Sequence, residues 1–438
     1  MKAIRTAIIV ILVALLGIGW ATQGIGLIKQ NITFSKAVSE GDSLVEKKLY
    51  QKAISSYEDA IAIHNRASVK DKWINAYAKA YKDEVITKKD YAAALESLCK
   101  EQPKKAKYWE LLLSYYMETG KYNEAHSSYN KSVNSGAKSE KLKKLGQEIT
   151  YSYTVKKHIY TEVFEGSNGY FTLHDDLNWG VMDSAGEWLY ECKYEYISPI
   201  SSDVAALYTN EKGSRIIDGD AVVQSIISEK FTQTKAYSDG LLPVCTKDNT
   251  WSFYNCEDNS YKFNGFEDVS GFVKRTAAVK ESGKWHLIDT DNKKVGSVEF
   301  DDVKLYGNGE YAYSNKMVAS VGGKYGVFDA KGKEIVAPKY KDMDAFYGGY
   351  IAFQDDSGKW GYINENGKVI IEPKFENAKS FSNNLAAVSD GKSWGFIDKN
   401  GEIVIKNQFV DTTYFTKEGV CFVSNGEKSY YMLQLRFS

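Results

Sequence analysis

The stretch KWGYINENGKVIIEPKF, residues 359–375, reads as a strand, a tight turn and a second strand, and copies of it recur along the chain. The clearest copies are NWGVMDSAGEWLYECKY (178–194), KYGVFDAKGKEIVAPKY (324–340) and SWGFIDKNGEIVIKNQF (393–409). Degenerate copies begin at Ser214, Trp251 and Trp285, and a truncated copy begins at Ser429. The eight copies are spaced by 34–40 residues, and a period this regular predicts a repeat architecture.

Each unit has a simple physical interpretation. In a strand, Trp360 and Tyr362 share one face, and Gly361 leaves the other face bare so that a neighbouring backbone can come close. The turns begin with Asp or Asn and end with Gly, as a type I turn with a left-handed closing residue requires; Asn292 replaces the Gly in one copy. Proline cannot donate to a ladder, so we expect the second strand to end at Pro338 or Pro373.

A further strand precedes each motif, for example Leu385–Ser389, and a short fourth strand is possible at positions such as Val410–Phe415. One such unit cannot bury its own face, and radial packing into a closed ring removes the exposed sheet edges that a linear stack would leave. The sequence therefore predicts an all-β, propeller-like domain of seven or eight units with three to four strands each. The C-terminal half unit would pair with a strand near residues 159–164, and an open β-solenoid is the alternative.

These units resemble WG repeats, a β-repeat family widespread in bacteria. The residues that carry the motif are Trp179, Gly180, Trp251, Trp285, Gly326, Trp360, Gly361, Trp394 and Gly395. The tryptophans could stack on sugar rings, but residues in fixed register with a turn and a strand are interpreted here as blade packing. Aromatic residues outside the motif are the better binding candidates: Tyr306, Tyr311, Tyr347 and Tyr350. The shared residues are structural, so the resemblance carries little functional information.

The region before these repeats, residues 34–157, has the spacing of paired helices. Small and aromatic residues stand where two helices would cross at 41–60, again at 109–129, and more weakly at 81–98. This spacing resembles the tetratricopeptide repeat and predicts an all-α array of three helix pairs, followed by a cap helix over Lys138–Ile149.

The tetratricopeptide resemblance implies that an extended peptide or a partner helix binds in the groove lined by the first helix of each pair. The corresponding positions in this chain are Asp42, Glu46, Lys79, Asp83, Lys107, Glu110 and Ser114. Their mixed charges lack the basic cluster that would grip a C-terminal carboxylate. A rigid spacer is the alternative role for this array.

The N-terminal segment, residues 1–33, predicts a membrane anchor. Thr6–Ile28 has no charged residue and is long enough to cross a bilayer as a helix. Lys2 and Arg5 precede it, so we expect the N-terminus in the cytoplasm and the bulk of the chain outside. A cleaved signal peptide, cut after Ala21, is the alternative and would give a secreted protein.

The formal net charge of −1 combines +3 for residues 1–33, +7 for 34–157 and −11 for 158–438, which disfavours a nucleic-acid binder. The five cysteines show no disulfide or metal-binding spacing. No catalytic, cofactor or metal motif is present. The sequence thus predicts a cell-envelope binding or scaffold protein with a protein, peptide or cell-wall glycan partner. A glycan-active enzyme is the alternative, because folding can bring carboxylates together that spacing does not reveal.

Overall fold

A computed structural model describes residues 26–166, 169–200, 205–210, 213–218, 221–227, 231 and 233–437. The chain divides into two compact units, one ending at Ile149 and the other beginning at Thr150. The first unit is helical and the second consists of strands.

Seven helices make up the described part of the first unit. They are α1 (26–46), α2 (Tyr50–Ile63), α3 (Ala67–Lys82), α4 (Lys88–Glu101), α5 (Ala106–Glu118), α6 (Tyr122–Asn134) and α7 (Glu140–Thr150). The helical array that the sequence predicts is therefore present, with three successive pairs and a final amphipathic helix whose buried residues include Leu142 and Ile149.

Small residues allow these helices to approach closely. A Cβ atom at Gly41 would lie 2.5 Å from the ring of Tyr57, and one at Gly146 would lie 2.1 Å from the ring of Tyr129. Ala53 and Ala60 are fully buried in the same cluster as Tyr57. Gly41, Ala53 and Ala60 of the sequence pattern therefore mark packed helix contacts.

The predicted membrane segment Thr6–Ile28 lies outside the described residues except for its last three positions. Within the described ranges, no helix combines the length and the apolar composition needed to cross a membrane.

Thirty-one strands make up the described part of the second unit. They are β1 (Tyr153–Val155), β2 (Glu162–Glu165), β3 (Phe171–His174), β4 (Trp179–Met182), β5 (Trp188–Tyr194), β6 (Tyr196–Ile197), β7 (Ala205–Asn210), β8 (Gly213–Asp218), β9 (Ala221–Ile227), β10 (Leu241–Cys245), β11 (Trp251–Asn255), β12 (Ser260–Phe266), β13 (Asp268–Val269), β14 (Thr276–Glu281), β15 (Lys284–Asp289), β16 (Lys294–Phe300), β17 (Asp302–Val303), β18 (Lys316–Val321), β19 (Lys324–Asp329), β20 (Glu334–Tyr340), β21 (Asp342–Met343), β22 (Ile351–Gln354), β23 (Trp360–Ile363), β24 (Val369–Phe375), β25 (Asn377–Ala378), β26 (Ala386–Ser389), β27 (Trp394–Ile397), β28 (Ile403–Phe409), β29 (Asp411–Thr412), β30 (Val420–Ser424) and β31 (Tyr430–Leu435).

These strands form eight antiparallel sheets, the blades of a β-propeller. Blades 1 to 7 follow one another along the chain as β2–β5, β6–β9, β10–β12, β13–β16, β17–β20, β21–β24 and β25–β28, and blade 8 contains β29–β31 and β1. In blade 3 an isolated bridge from Thr234 to Val244 takes the place of the short first strand. The described part of the chain therefore contains eight blades, within the predicted range.

The hydrophobic core lies between blades. Buried clusters join each blade to the next, and one cluster joins the last blade to the first through Val420 and Phe422 of blade 8 and Phe171 and Leu173 of blade 1. Because this cluster links the two ends of the repeat series, the ring is closed. The alternative of an open solenoid is wrong.

The closing strand differs from the prediction. Tyr153–Val155, not the segment near 159–164, forms the ladder with β31 as the outer strand of blade 8, although Tyr160 makes a single bridge to Tyr430. The segment Glu162–Glu165 instead pairs with β3 as the inner strand of blade 1. A sequence repeat begins at the third strand of a blade, so the final half unit lacks an outer strand, which the N-terminal segment supplies.

The prolines also differ from the prediction, because β20 and β24 continue past Pro338 and Pro373 to Tyr340 and Phe375. Each strand is the outermost of its blade, and an edge strand tolerates a residue without a backbone donor.

Candidate ligand-binding surfaces

The seven groove residues predicted in the array lie on α1 and α5 and on, or just after, α3. Several of them are engaged in contacts between helices. Asp42 accepts hydrogen bonds from the Tyr57 hydroxyl (2.7 Å) and Lys72 (2.5 Å), and Asp83 accepts one from the Tyr50 hydroxyl (2.8 Å). Burial, followed by the bond to Asp42, raises the pKa of Tyr57.

The same pattern continues along the array. Lys107 lies 3.1 Å from Asp71 of α3, and Glu110 accepts a hydrogen bond of 2.5 Å from Ser139, just before α7. Glu46 and Lys79 are exposed, and Ser114 is half-buried. The predicted positions therefore include residues that connect neighbouring helices, with Glu46 and Lys79 as the more accessible members.

The array has a hollow that the sequence did not indicate. It is formed by α4, α5 and α6 and has a volume of about 720 Å³. Trp109, Leu112 and Tyr116 contribute its buried wall, while Lys100 and Ser127 are exposed lining residues. We call this feature the array hollow. Its volume lies within the range of roughly 300–1,000 Å³ that is usual for ligand pockets.

The two ends of the propeller present different groups. Trp360 begins the third strand of blade 6, opposite Gln354, so the motif aromatics mark one end of the ring, which we call the tryptophan end. The turns that follow the third strands lie at the opposite end, which we call the Asx-turn end. In one of them the Asp329 carboxylate accepts hydrogen bonds from the backbone N–H groups of Lys331 and Lys333, both 2.9 Å, and Gly332 has a φ of +83°.

The motif glycines lie where two strands approach closely. A Cβ atom at Gly361 would lie 2.6 Å from the carbonyl oxygen of Ile371, and one at Gly180, Gly326 or Gly395 would meet the facing backbone at 2.5–2.6 Å. The ladder shifts its register beside Gly361, between Trp360 and Tyr362. The structure therefore confirms the prediction that the motif glycine, which has no side chain, lets a neighbouring backbone come close.

The motif aromatics are core or half-buried residues. Trp285 is only 3% exposed, whereas Trp179, Trp251, Trp360 and Trp394 are half-buried. They pack against inter-blade clusters and also reach the tryptophan end of the ring.

Three lysines connect neighbouring blades at the tryptophan end. Each ammonium lies over the motif aromatic of its own blade and near an aspartate of the next blade. The sets, with the distances from Nζ to the ring centroid and to the nearest carboxylate oxygen, are Lys235, Trp251 and Asp268 (4.6 and 2.6 Å), Lys304, Tyr325 and Asp342 (4.6 and 2.9 Å), and Lys379, Trp394 and Asp411 (5.7 and 3.7 Å). We call these sets the lysine clamps.

A loop of blade 5, residues 305–310, crosses the centre of the ring. Its Asn308 side chain donates to the Ile200 carbonyl at 3.1 Å, and its Asn308 carbonyl accepts from the Ala236 N–H at 3.0 Å. A Cβ atom at Gly307 would lie 2.6 Å from the carbonyl oxygen of Glu165. Contacts with blades 1, 2 and 3 therefore hold this loop, which we call the central loop.

A cavity of about 240 Å³ opens at the Asx-turn end beside the central loop. Its lining includes Glu165, Phe171, Tyr313, Tyr347 and Tyr414. The rings of Tyr347 and Tyr414 stack with their centroids 3.7 Å apart. This cavity is smaller than the usual small-molecule pocket.

Glu165 is the carboxylate of this cavity. It accepts a hydrogen bond from the Tyr414 N–H at 2.9 Å and one from the Tyr347 hydroxyl at 3.5 Å. Protein atoms surround it although it keeps some surface toward the cavity, and this burial raises its pKa to about 7. The charge of Lys379 opposes the rise and that of Asp344 adds to it.

Asp344 is already engaged by protein donors. One of its carboxylate oxygens accepts from the Ser380 N–H at 2.6 Å and from the Tyr414 hydroxyl at 2.5 Å. Tyr414 therefore connects the two carboxylates, donating to Glu165 through its backbone and to Asp344 through its hydroxyl. No sequence motif marks these residues, because Glu165 and Tyr414 are about 250 positions apart and meet only where the ring closes.

The four predicted binding tyrosines have different environments. Tyr347 lines the cavity at the Asx-turn end, while Tyr306 is 4% exposed and donates to the Phe346 carbonyl at 2.5 Å. Tyr311 is fully buried in the core between blades 4 and 5, where no ligand could reach its ring. Tyr350 is half-buried against Phe381.

Comparison with known proteins identifies the repeat. The family described as "WG containing repeat" matches residues 179–212, 325–359, 360–392 and 394–428, so the chain carries WG repeats in these ranges. Each matched range begins at the third strand of one blade and extends into the next blade. A comparison with curated proteins gives no match.

Solved structures give weak matches. BamB from Moraxella catarrhalis is 14% identical over 66% of this chain and 97% of its own, with a TM-score of 0.40. The computationally designed Ika8 protein is 11% identical over 65% and 96%, with a TM-score of 0.37. The Sgt2 TPR domain from Aspergillus fumigatus is 23% identical over 26% and 76%, with a TM-score of 0.21.

Proposed function

We propose that this chain is a binding scaffold, with a tetratricopeptide-like array that holds a protein or peptide partner and a WG-repeat propeller that recognises a second ligand. The array hollow carries the proposal, because it is a large open pocket with an aromatic wall and an exposed polar rim. Most motif residues of the propeller, in contrast, contribute to packing, turns and close strand contacts.

The close helix contact at Gly41, a position of the predicted spacing, supports the tetratricopeptide-like interpretation. The array hollow and the exposed Glu46 and Lys79 then provide two surfaces for a partner, on α4–α6 and on the first helices of the pairs. A blocking substitution distinguishes them.

Ser127→Arg places a large charged side chain in the array hollow, and Ser55→Arg makes the same change on an exposed position of α2 outside it. Proteins captured by crosslinking to the full-length chain should be lost with Ser127→Arg and kept with Ser55→Arg. Equal capture by both variants would contradict a partner in this hollow.

We further propose that the chain is anchored in the cell membrane by Thr6–Ile28 with the array and propeller outside the cytoplasm, which the uncharged segment and the preceding Lys2 and Arg5 support. Mass spectrometry of the protein from membranes tests this proposal. An intact N-terminus is expected, and a mature N-terminus at Thr22 would instead identify a cleaved signal peptide.

A glycan-active enzyme is the second candidate function, and the raised pKa of Glu165 is the observation that favours it, because a carboxyl that keeps its proton near neutrality can act as a general acid. Binding is the better supported function, since the cavity is small and both carboxylates already accept protein hydrogen bonds. Hydrolysis of envelope polysaccharide that disappears with Glu165→Gln would establish the enzyme instead.

A further inference from the structure

A second cavity of the propeller, of about 370 Å³, opens at the tryptophan end between blades 1, 2 and 3 and the central loop. Its aromatic lining includes Phe164, Trp179, Tyr196 and Trp251, and Glu162 also lines it. Unlike the cavity beside Glu165, it lies within the usual size range of small-molecule sites, roughly 300–1,000 Å³.

The lysine clamps show that the aromatic rings at this end of the propeller bind ammonium groups of the protein itself. Strand register makes Lys235, Lys304 and Lys379 equivalent, as the third residue of the inner segment of blades 3, 5 and 7. In each case an ammonium lies 4.6–5.7 Å from the centre of an aromatic ring and near a carboxylate. A cation is attracted to the face of an aromatic ring, so each clamp holds its ammonium by a ring as well as by a carboxylate.

Blade 1 departs from this pattern at the cavity. Phe164 stands at the position that is lysine in blades 3, 5 and 7, and Tyr196 stands at the position of the partner aspartate. The rings of Phe164 and Trp179 are nearly parallel with centroids 5.7 Å apart, and Tyr196 meets Trp179 edge-on at 6.0 Å. Beside Trp179, the rings of Phe164 and Tyr196 therefore replace the ammonium and the carboxylate of a clamp.

Two features leave this aromatic group available to a ligand. Phe164 is 38% exposed, although it is a large apolar side chain at the inner strand of a blade. Glu162 is exposed and forms no ion pair with any residue in the part of the chain that the structure describes. The one lysine of the cavity lining, Lys235, is already neutralised by Asp268 at 2.6 Å.

We propose that the cavity formed by Phe164, Trp179, Tyr196 and Glu162 binds an ammonium group, methylated or primary, carried by a small ligand. The inference rests on the proposed binding function and assigns a site and a ligand chemistry to the propeller. The aromatic faces attract the cation and the Glu162 carboxylate complements its charge, as the clamps do for the protein's own lysines. A flat sugar ring is the rival occupant, because aromatic walls also suit its apolar face.

A pair of matched probes tests the charge requirement. Choline and its uncharged carbon isostere 3,3-dimethyl-1-butanol have nearly the same shape, so they differ chiefly in the cationic centre. Calorimetric titration of the full-length chain at constant ionic strength should show choline binding at least about tenfold more tightly, which corresponds to about 1.4 kcal/mol. n-Butylamine tests a primary ammonium, and methyl glucoside tests the sugar ring.

Two variants locate the binding. Phe164→Lys restores the residue of blades 3, 5 and 7 and should abolish choline binding, because its own ammonium then competes for the cavity. Glu162→Gln should weaken choline binding at least about threefold and leave the isostere unchanged, whereas Glu334→Gln, which changes an exposed acid on the outer strand of blade 5, should have no effect. A thermal unfolding curve for each variant shows that the fold is kept.

Equal binding of choline and its isostere, binding of methyl glucoside alone, or unchanged choline binding by Phe164→Lys would each overturn the ammonium site. Should Phe164→Lys fail to fold, Glu162→Gln with its control still decides the question. Failure here would leave partner capture at the array hollow untouched, and that separate experiment tests the scaffold function itself.

Discussion

Replacing the motif glycine Gly361 with alanine should destabilise the propeller strongly. The new Cβ would lie 2.6 Å from the Ile371 oxygen, 2.7 Å from the Pro373 nitrogen and 3.0 Å from the Glu372 carbonyl carbon, whereas ordinary contacts begin at 3.4 Å. All three are backbone atoms, so no side-chain rotation relieves the clash, and the strands must separate locally by roughly 0.8 Å. We expect a loss of about 3 kcal/mol in the free energy of unfolding, at the upper end of the usual range for overpacking.

Equilibrium denaturation of the full-length chain in guanidinium chloride measures this loss. Gly426→Ala in blade 8 is the matched control, because its nearest neighbouring atom, the Ser429 hydroxyl oxygen, lies 3.6 Å away and its φ is not in the left-handed region. The control should change the free energy of unfolding by less than about 0.5 kcal/mol. If Gly361→Ala unfolds at the same denaturant concentration as Gly426→Ala, close strand approach is not the reason for the motif glycine.

Asp329→Ala should lower the free energy of unfolding by about 1–2 kcal/mol, because two backbone donors lose their acceptor. Asp329→Asn keeps an acceptor oxygen, so equal denaturation midpoints for the two variants would contradict this role. Trp360→Ala should cost roughly 3–5 kcal/mol, and an unchanged melting temperature would show that the tryptophan is not blade packing. The folded chain holds the Glu165 proton more tightly than the unfolded chain, so stability should fall by on the order of 3 kcal/mol as pH rises from about 4.5 to about 7. Denaturation at several pH values should show this slope in the wild type but not in Glu165→Gln.

The repeat architecture could be predicted because its signals are local. The Asp329 carboxylate and the Lys331 and Lys333 amides belong to one turn, so the turn type can be predicted from adjacent residues. The Trp360 and Gly361 pair likewise belongs to one strand, and alternation along the strand separates the packed face from the closely approached one. Both features depend on neighbouring residues and do not require knowledge of the ring.

The inner strands were harder to predict, because they contain only two residues in six of the blades. Asp342–Met343 has too few positions to show alternation, and it pairs with β22 across the loop 344–350, which is longer than a tight hairpin turn. The lysine clamps could not be predicted from the sequence either, because their partners are far apart along the chain. Lys304 and its partner Asp342 belong to different blades, and their spacing of 38 residues has no local signature.

The candidate sites depended still more on tertiary structure. The predicted aromatics included Tyr347, which lines a cavity, and Tyr311, which is fully buried; both stand in loops between the first and second strands of their blades, and sequence alone does not separate them. In the array, the resemblance to a known repeat indicated the first helices, whereas the array hollow also involves α4 and α6. Pocket volume arises from gaps between packed elements, which no residue pattern records.

By itself the sequence determined the period, the turn chemistry, the packed face of each motif strand and the helical character of residues 34–150, because each depends on contacts within a few residues. Only the tertiary structure decided that Tyr153–Val155 completes the eighth blade, that Glu165 meets Tyr414, and that Phe164 stands in the place of a clamp lysine. Those relations join residues that are tens to hundreds of positions apart. Closure of the ring brings these residues together, and the local sequence around each of them does not indicate which distant residue it will contact.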